Sequence, residues 1–137
     1  MRKTVIESRR FGEQYLRLEH ESGLIALLYP MKGFQTAYAL FGTKYGSIDN
    51  EFKTADDPDF VKVPDGIAHY LEHKLFESED GNVDRVFAAL GAESNAFTSF
   101  DKTCYLASVS YTHLSNLLRR FSYLIIIAMR CPKLFAL

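Results

Sequence analysis

The sequence predicts an α+β domain in which an antiparallel-rich sheet carries its helices on one face. Three observations predict it. Strand-like apolar segments fall between Leu16 and Phe41, alternating from Phe34 onward, and again between Glu93 and Ser110. The apolar spacing switches to steps of three and four between Pro64 and Leu90 and after Thr112. The resulting order, β-β-β-α-α-β-β-α, joins strands mainly to their neighbours in sequence, which is the α+β pattern.

Leu16 and Leu18, then Leu24 to Tyr29, form two strands about the polar turn Glu21-Ser22-Gly23, where glycine accepts positive φ most easily. After Pro30-Met31-Lys32-Gly33, the residues Phe34, Thr36, Tyr38 and Leu40 alternate with Gln35, Ala37, Ala39 and Phe41, giving a third strand with one face more aromatic than the other. Asn50 to Val63, centred on Asp56-Asp57-Pro58-Asp59, reads as an exposed loop. The first helix begins near Pro64-Asp65, since proline suits the first turn and aspartate the positive dipole end, and stops between Ser78 and Gly81. Ile67, Leu71 and Leu75 make its apolar stripe, and His69, Glu72, His73 and Phe76 lie on another side. Val83, Val86, Phe87 and Leu90 repeat at helical spacing up to Gly91, a C′ residue, and define a second helix. Glu93–Phe100 and Thr103–Ser110 are two strands joined through Asp101-Lys102. Thr112 then caps a third helix whose core stripe is Leu114, Leu117, Leu118, Phe121, Ile125 and Ala128.

A chain of 137 residues with 47% hydrophobic content suffices for one compact domain, 1–137. Its net charge of −1, without a clustered basic stripe, leaves no electrostatic footprint for nucleic acid. The apolar run Tyr123–Met129 is far shorter than the ~18 residues that span a bilayer, so no membrane segment is expected. Met1 to Arg10 carries charge and no apolar core of a secretory signal, which leads to the expectation of a cytoplasmic protein. Cys104 and Cys131 have no CxxC-type spacing and are expected as reduced thiols.

The chemistry concentrates in His69-Tyr70-Leu71-Glu72-His73. Residues four apart on a helix face the same side, so two neutral imidazoles there can reach one Zn²⁺ at ~2.0–2.1 Å. Glu72 shares that face, and a zinc ion lowers the pKa of its bound water to about 7, within reach of a carboxylate acting as general base. In a chain with 4 His, chance placement of H-x-x-E-H has a probability under ~1%. His20 and His113 fall outside the motif and read as surface residues.

The stretch Val63 to Glu77 resembles the zinc-site helix of the pitrilysin/insulinase metallopeptidases, whose H-x-x-E-H order inverts that of H-E-x-x-H enzymes. Ser94-Asn95-Ala96-Phe97-Thr98-Ser99-Phe100-Asp101-Lys102-Thr103 resembles the substrate-binding strand that follows it in that family, and Thr43 to Asp49 resembles a strand before it. The likeness covers roughly residues 14 to 124. It implies a zinc-dependent endopeptidase for extended peptides, with His69 and His73 as metal ligands and Glu72 as the catalytic base. It also implies that Asn95, Ala96 and Phe97 bind substrate on an exposed edge strand, through main-chain hydrogen bonds. For Phe97 the other reading is core packing, and for Asn95 it is a turn.

Two departures qualify that expectation. The family's third zinc ligand is a glutamate on a later helix, beyond Leu137 when counted from His73, and no acidic residue follows Asp101. Glu77, one turn further along the helix, is not a position the family uses. The tail from about 125 to 137 is divergent: Ile125-Ile126-Ile127 is apolar all round, and a truncation or frameshift near Leu124 accounts for it. The chain is therefore expected to be an N-terminal part of the catalytic domain, inactive alone, with a C-terminal portion or partner subunit completing the site. The competing expectation is a non-catalytic module of the same family that holds peptides or a partner on the Asn95 strand.

Overall fold

A computed structural model describes residues 1–54, 57–78 and 81–110. The third helix expected after Thr112, with His113 and Cys131, lies outside the described residues. So does the divergent tail. The chain divides into two compact units, residues 1–34 and 35–137.

The first unit is a three-stranded antiparallel sheet of β1 (Arg2–Ser8), β2 (Glu13–Glu19) and β3 (Ile25–Leu28), in the order β1-β2-β3. The hairpin of β2 and β3 pairs Leu16 with Leu28 and Leu18 with Ala26, and its turn closes through Gly23 at φ 84°. Strand β1 has no clear alternation of its own. It forms because β2 offers a full ladder, Val5 opposite Leu16 and Arg2 opposite Glu19.

The second unit is built on β4 (Thr36–Thr43), β9 (Ala92–Thr98) and β10 (Thr103–Ser110), antiparallel in the order β4-β10-β9, with α1 (Ile67–Phe76) and α2 (Val83–Ala89). Helix α1 packs against β9 and β10, and α2 packs against β9. The alternation of β10 sends Tyr105, Ala107 and Val109 inward, where they meet Phe41, Ala92 and Phe87 in one buried cluster. Ala96, Leu75 and Phe76 pack against it from β9 and α1. A second cluster of Tyr45, Phe52 and Ala68 is completed by Ile67, Leu71 and Val63. The expected stripe of α1 thus divides between two cores. Phe76, expected beside the histidines, stacks on Tyr105 with centroids 6.1 Å apart, because a ring on the last turn reaches the sheet.

Asn50 to Val63 is not an open loop. It holds β5 (Glu51–Thr54) and β6 (Asp57–Lys62), an antiparallel pair with Phe52 opposite Val61. Phe52 sits edge-on to Tyr45 at 5.6 Å and is buried, so a single aromatic anchors a strand whose acidic surroundings hide it from local composition. A second short pair, β7 (Glu77–Ser78) with β8 (Gly81–Asn82), follows α1. Helix α1 starts at Ile67 rather than at Pro64-Asp65, because the Asp65 carboxylate accepts a bond from Asn50 Nδ2 at 2.7 Å and Gly66 takes the cap position. The β9–β10 turn has four residues, not two, closed by Ser99 N–H donating to the Lys102 carbonyl at 2.8 Å.

That turn is docked on the segment after β4: Ser47 and Ile48 N–H donate to the Ser99 and Phe100 carbonyls at 2.9 and 3.1 Å. Gly46 makes the approach possible, since a Cβ there would collide with the Phe100 carbonyl and the Asp101 nitrogen. Gly46→Ala is accordingly expected to cost about 1–3 kcal/mol, read as a lowered urea midpoint; an unchanged midpoint would count against this docking. Cys104 is a free, buried thiol, and burial pushes its pKa up. Alkylation of Cys104 in the folded chain should be at least about tenfold slower than after unfolding, resolved from Cys131 by peptide mapping. Among the described residues no helix is long and apolar enough to cross a membrane.

Candidate metal centre

Helix α1 brings two imidazoles together. His69 and His73 are exposed, their rings stack at 4.7 Å with a 21° interplanar angle, and their Nε2 atoms lie 2.9 Å apart. Two nitrogens bound to one tetrahedral zinc at ~2.05 Å each lie about 3.3 Å apart, so the pair already converges on a common point. Without a metal that contact is favourable only when one ring donates its proton to the other.

Glu72, between them in sequence, points differently. It is only 9% exposed, and its Oε2 accepts a bond from Thr98 Oγ1 on β9 at 2.5 Å. Its charge also reaches Tyr105, whose phenol is pushed up first by burial and then by Glu72. Helical spacing places the carboxylate near the histidines, but β9 decides its orientation.

Among the described residues no group of three His, Cys, Asp or Glu side chains gathers to hold a metal. Glu77 turns to Lys74, with Nζ at 2.5 Å, and the hydrogen bond and charge of Lys74 hold its carboxyl below the usual range. The residues therefore fit the two-nitrogen half of a zinc site. His20 is bonded to Ser22 at 2.8 Å in the other unit.

Among the described residues, strand β9 is an edge of its sheet, paired with β10 on one side. Asn95 is exposed and in the strand rather than a turn, and its Oδ1 accepts from the Ala96 N–H at 2.9 Å. An incoming strand would compete with that bond. Ala96 faces the helices, whereas Phe97, on the opposite face, is 43% exposed and outside the core. A cleft of about 250 Å³ runs between Glu72, His73 and Phe76 of α1 and Ser94, Asn95 and Ala96 of β9. A larger cleft of about 550 Å³ shares Asp84, Ser94 and Asn95 with it but contains no imidazole, so the chemistry belongs to the smaller one. The residue that sequence reasoning missed is Thr98: no local pattern announces a hydroxyl aimed at a helix 26 positions away.

Paired imidazoles four apart on a helix, with a carboxylate and an open strand edge, are the working parts of zinc peptidases, and comparison with known proteins leads to that class. Residues 62–129 match the sequence signature of insulinase (peptidase family M16). The chain is 47% identical over 120 residues to the uncharacterized zinc protease YmfH of Bacillus subtilis (strain 168), an alignment covering 88% of this chain and 27% of that protein. It resembles the crystal structure of an M16-like peptidase from Alicyclobacillus acidocaldarius with a TM-score of 0.68 and 37% identity, covering 85% of this chain and 27% of the other. Pitrilysin shares the fold at a TM-score of 0.66 and 20% identity, over 90% of this chain and 13% of pitrilysin. The chain belongs to the insulinase family of peptidases. It spans about a quarter of the length of its relatives from Bacillus and Alicyclobacillus.

Proposed function

We propose that this chain is the part of a zinc endopeptidase that carries the metal-binding histidines and the catalytic base, and that it works on extended peptides once a further portion or partner completes the site. The observation that carries the reading is the convergence of His69 and His73 Nε2, 2.9 Å apart on one helix face. A zinc ion held there would supply Lewis acidity for a coordinated water and the carbonyl it attacks. Glu72 takes the water's proton and returns it to the leaving amine. Strand β9 holds the substrate as an added antiparallel strand, with Ala96 supplying main-chain bonds, Asn95 its side-chain amide and Phe97 an apolar contact. The shared peptidase family of its relatives supports this reading.

Zinc content per chain and cleavage of a quenched peptide, measured with and without a supplied C-terminal portion bearing an acidic ligand, test it. The expected result is weak, chelator-sensitive zinc binding by the chain alone, and chelator-sensitive cleavage on reconstitution. Nanomolar zinc retention by the chain alone contradicts the two-ligand site. Cleavage indifferent to chelator, or none on reconstitution, overturns the peptidase reading. Peptide binding that survives both chelator and Glu72→Gln, without cleavage, points instead to a non-catalytic binding module.

A further inference from the structure

We propose that Thr98 is a positioning residue for Glu72: its hydroxyl occupies Oε2 and leaves Oε1 as the oxygen that takes the proton of the attacking water. This rests on the peptidase reading above and adds to it the choice of carboxylate oxygen. Thr98 Oγ1 donates to Glu72 Oε2 at 2.5 Å, from the last residue of β9 to the middle of α1. An ionised carboxylate only accepts, so the proton in that bond is the hydroxyl's. Charge-assisted O–H···O⁻ bonds of this length are among the stronger ones in proteins.

Thr98 is itself held. Its partner in the β9–β10 ladder is Thr103, which is 1% exposed and whose hydroxyl donates to the Tyr45 carbonyl at 2.8 Å. The two threonine oxygens are 3.4 Å apart. Because the Thr103 proton goes to the Tyr45 carbonyl and the Thr98 proton to Glu72, neither hydroxyl donates to the other, and Thr98 is placed by its position in the ladder rather than by a bond from Thr103. The only side-chain hydrogen bond of Glu72 among the described residues is the one to Thr98. The alternation of β9 puts Thr98 on the helix side with Ala92 and Ala96, so the ladder register selects which residue meets Glu72. A base held at one oxygen presents the other in a defined direction, and misplacing a reacting group by about 1 Å can cost 10²-fold in rate.

Two measurements test this. In the metal-free 137-residue chain, urea midpoints of Thr98→Val, Glu72→Met and the double variant form a cycle. Thr98→Val should lower the midpoint of the parent but not that of Glu72→Met; equal lowering in both overturns the bond. In the reconstituted peptidase, Thr98→Val should lower kcat by about tenfold or more, with KM within about twofold and zinc content unchanged. Thr98→Ser should restore kcat, which a purely packing role would not do. Unchanged kcat in Thr98→Val, or no rescue by Thr98→Ser, overturns the positioning role. If the reconstituted parent does not cleave at all, the peptidase reading fails and the role of Oε1 fails with it, while the cycle still decides whether the threonine holds the carboxylate.

Discussion

Glu72→Gln is expected to reduce kcat of the reconstituted peptidase by about 10²–10⁴-fold, the usual contribution of a positioned general base. Glutamine keeps the length of the side chain and can still accept from Thr98 through its amide oxygen, so the 2.5 Å link between α1 and β9 has a substitute and the fold is preserved. An amide, however, has no basicity with which to take a proton from water. The exposed imidazoles of His69 and His73 are untouched, so zinc per chain should equal that of the parent. Cleavage of a quenched peptide and metal content, measured on the same sample, separate the two effects. A variant that cleaves within threefold of the parent removes Glu72 from the chemistry.

His73→Ala is expected to weaken zinc binding by about 100-fold or more. Structural zinc sites bind with about 10–16 kcal/mol spread over four ligands, roughly 3 kcal/mol each, and ~2.7 kcal/mol is a factor of 100. The cost to the fold should be small, because His73 is exposed and its contacts are with the neighbouring imidazole, at 2.9 Å between nitrogens and 4.7 Å between rings. His69→Ala should behave in the same way, since neither nitrogen can hold the ion alone. His20→Ala should leave zinc binding unchanged, its ring being bonded to Ser22 in the other compact unit. Competition with a chromophoric chelator reads all three. Equal zinc affinity in His73→Ala and the parent would place the metal elsewhere.

Much of the site was legible before any coordinate. The four-residue step from His69 to His73 fixes two side chains on one helix face whatever the helix packs against, and β9, β10 and α2 follow from residues within a few positions of one another. The elements that escaped the sequence share a feature. Strand β1 needs the ladder of β2, and β5–β6 needs Phe52 against Tyr45. The late start of α1 needs Asp65 drawn to Asn50, fifteen residues earlier. In each case the deciding partner lies outside the element itself, Leu16 for Val5, Tyr45 for Phe52 and Asn50 for Asp65, seven to fifteen residues away along the chain.

The sequence by itself determined the α+β pattern, the helix with its paired imidazoles, and the family those residues belong to, because each is a matter of spacing over one or two turns or strands. Only the tertiary structure decided that Phe76 belongs to the core and that Thr98 holds one oxygen of Glu72. Those outcomes depend on strand register and on which face of α1 the sheet covers. Both are set by the burial of Tyr105, Phe87 and Phe41 together, a condition on residues far apart in the chain that no local window contains.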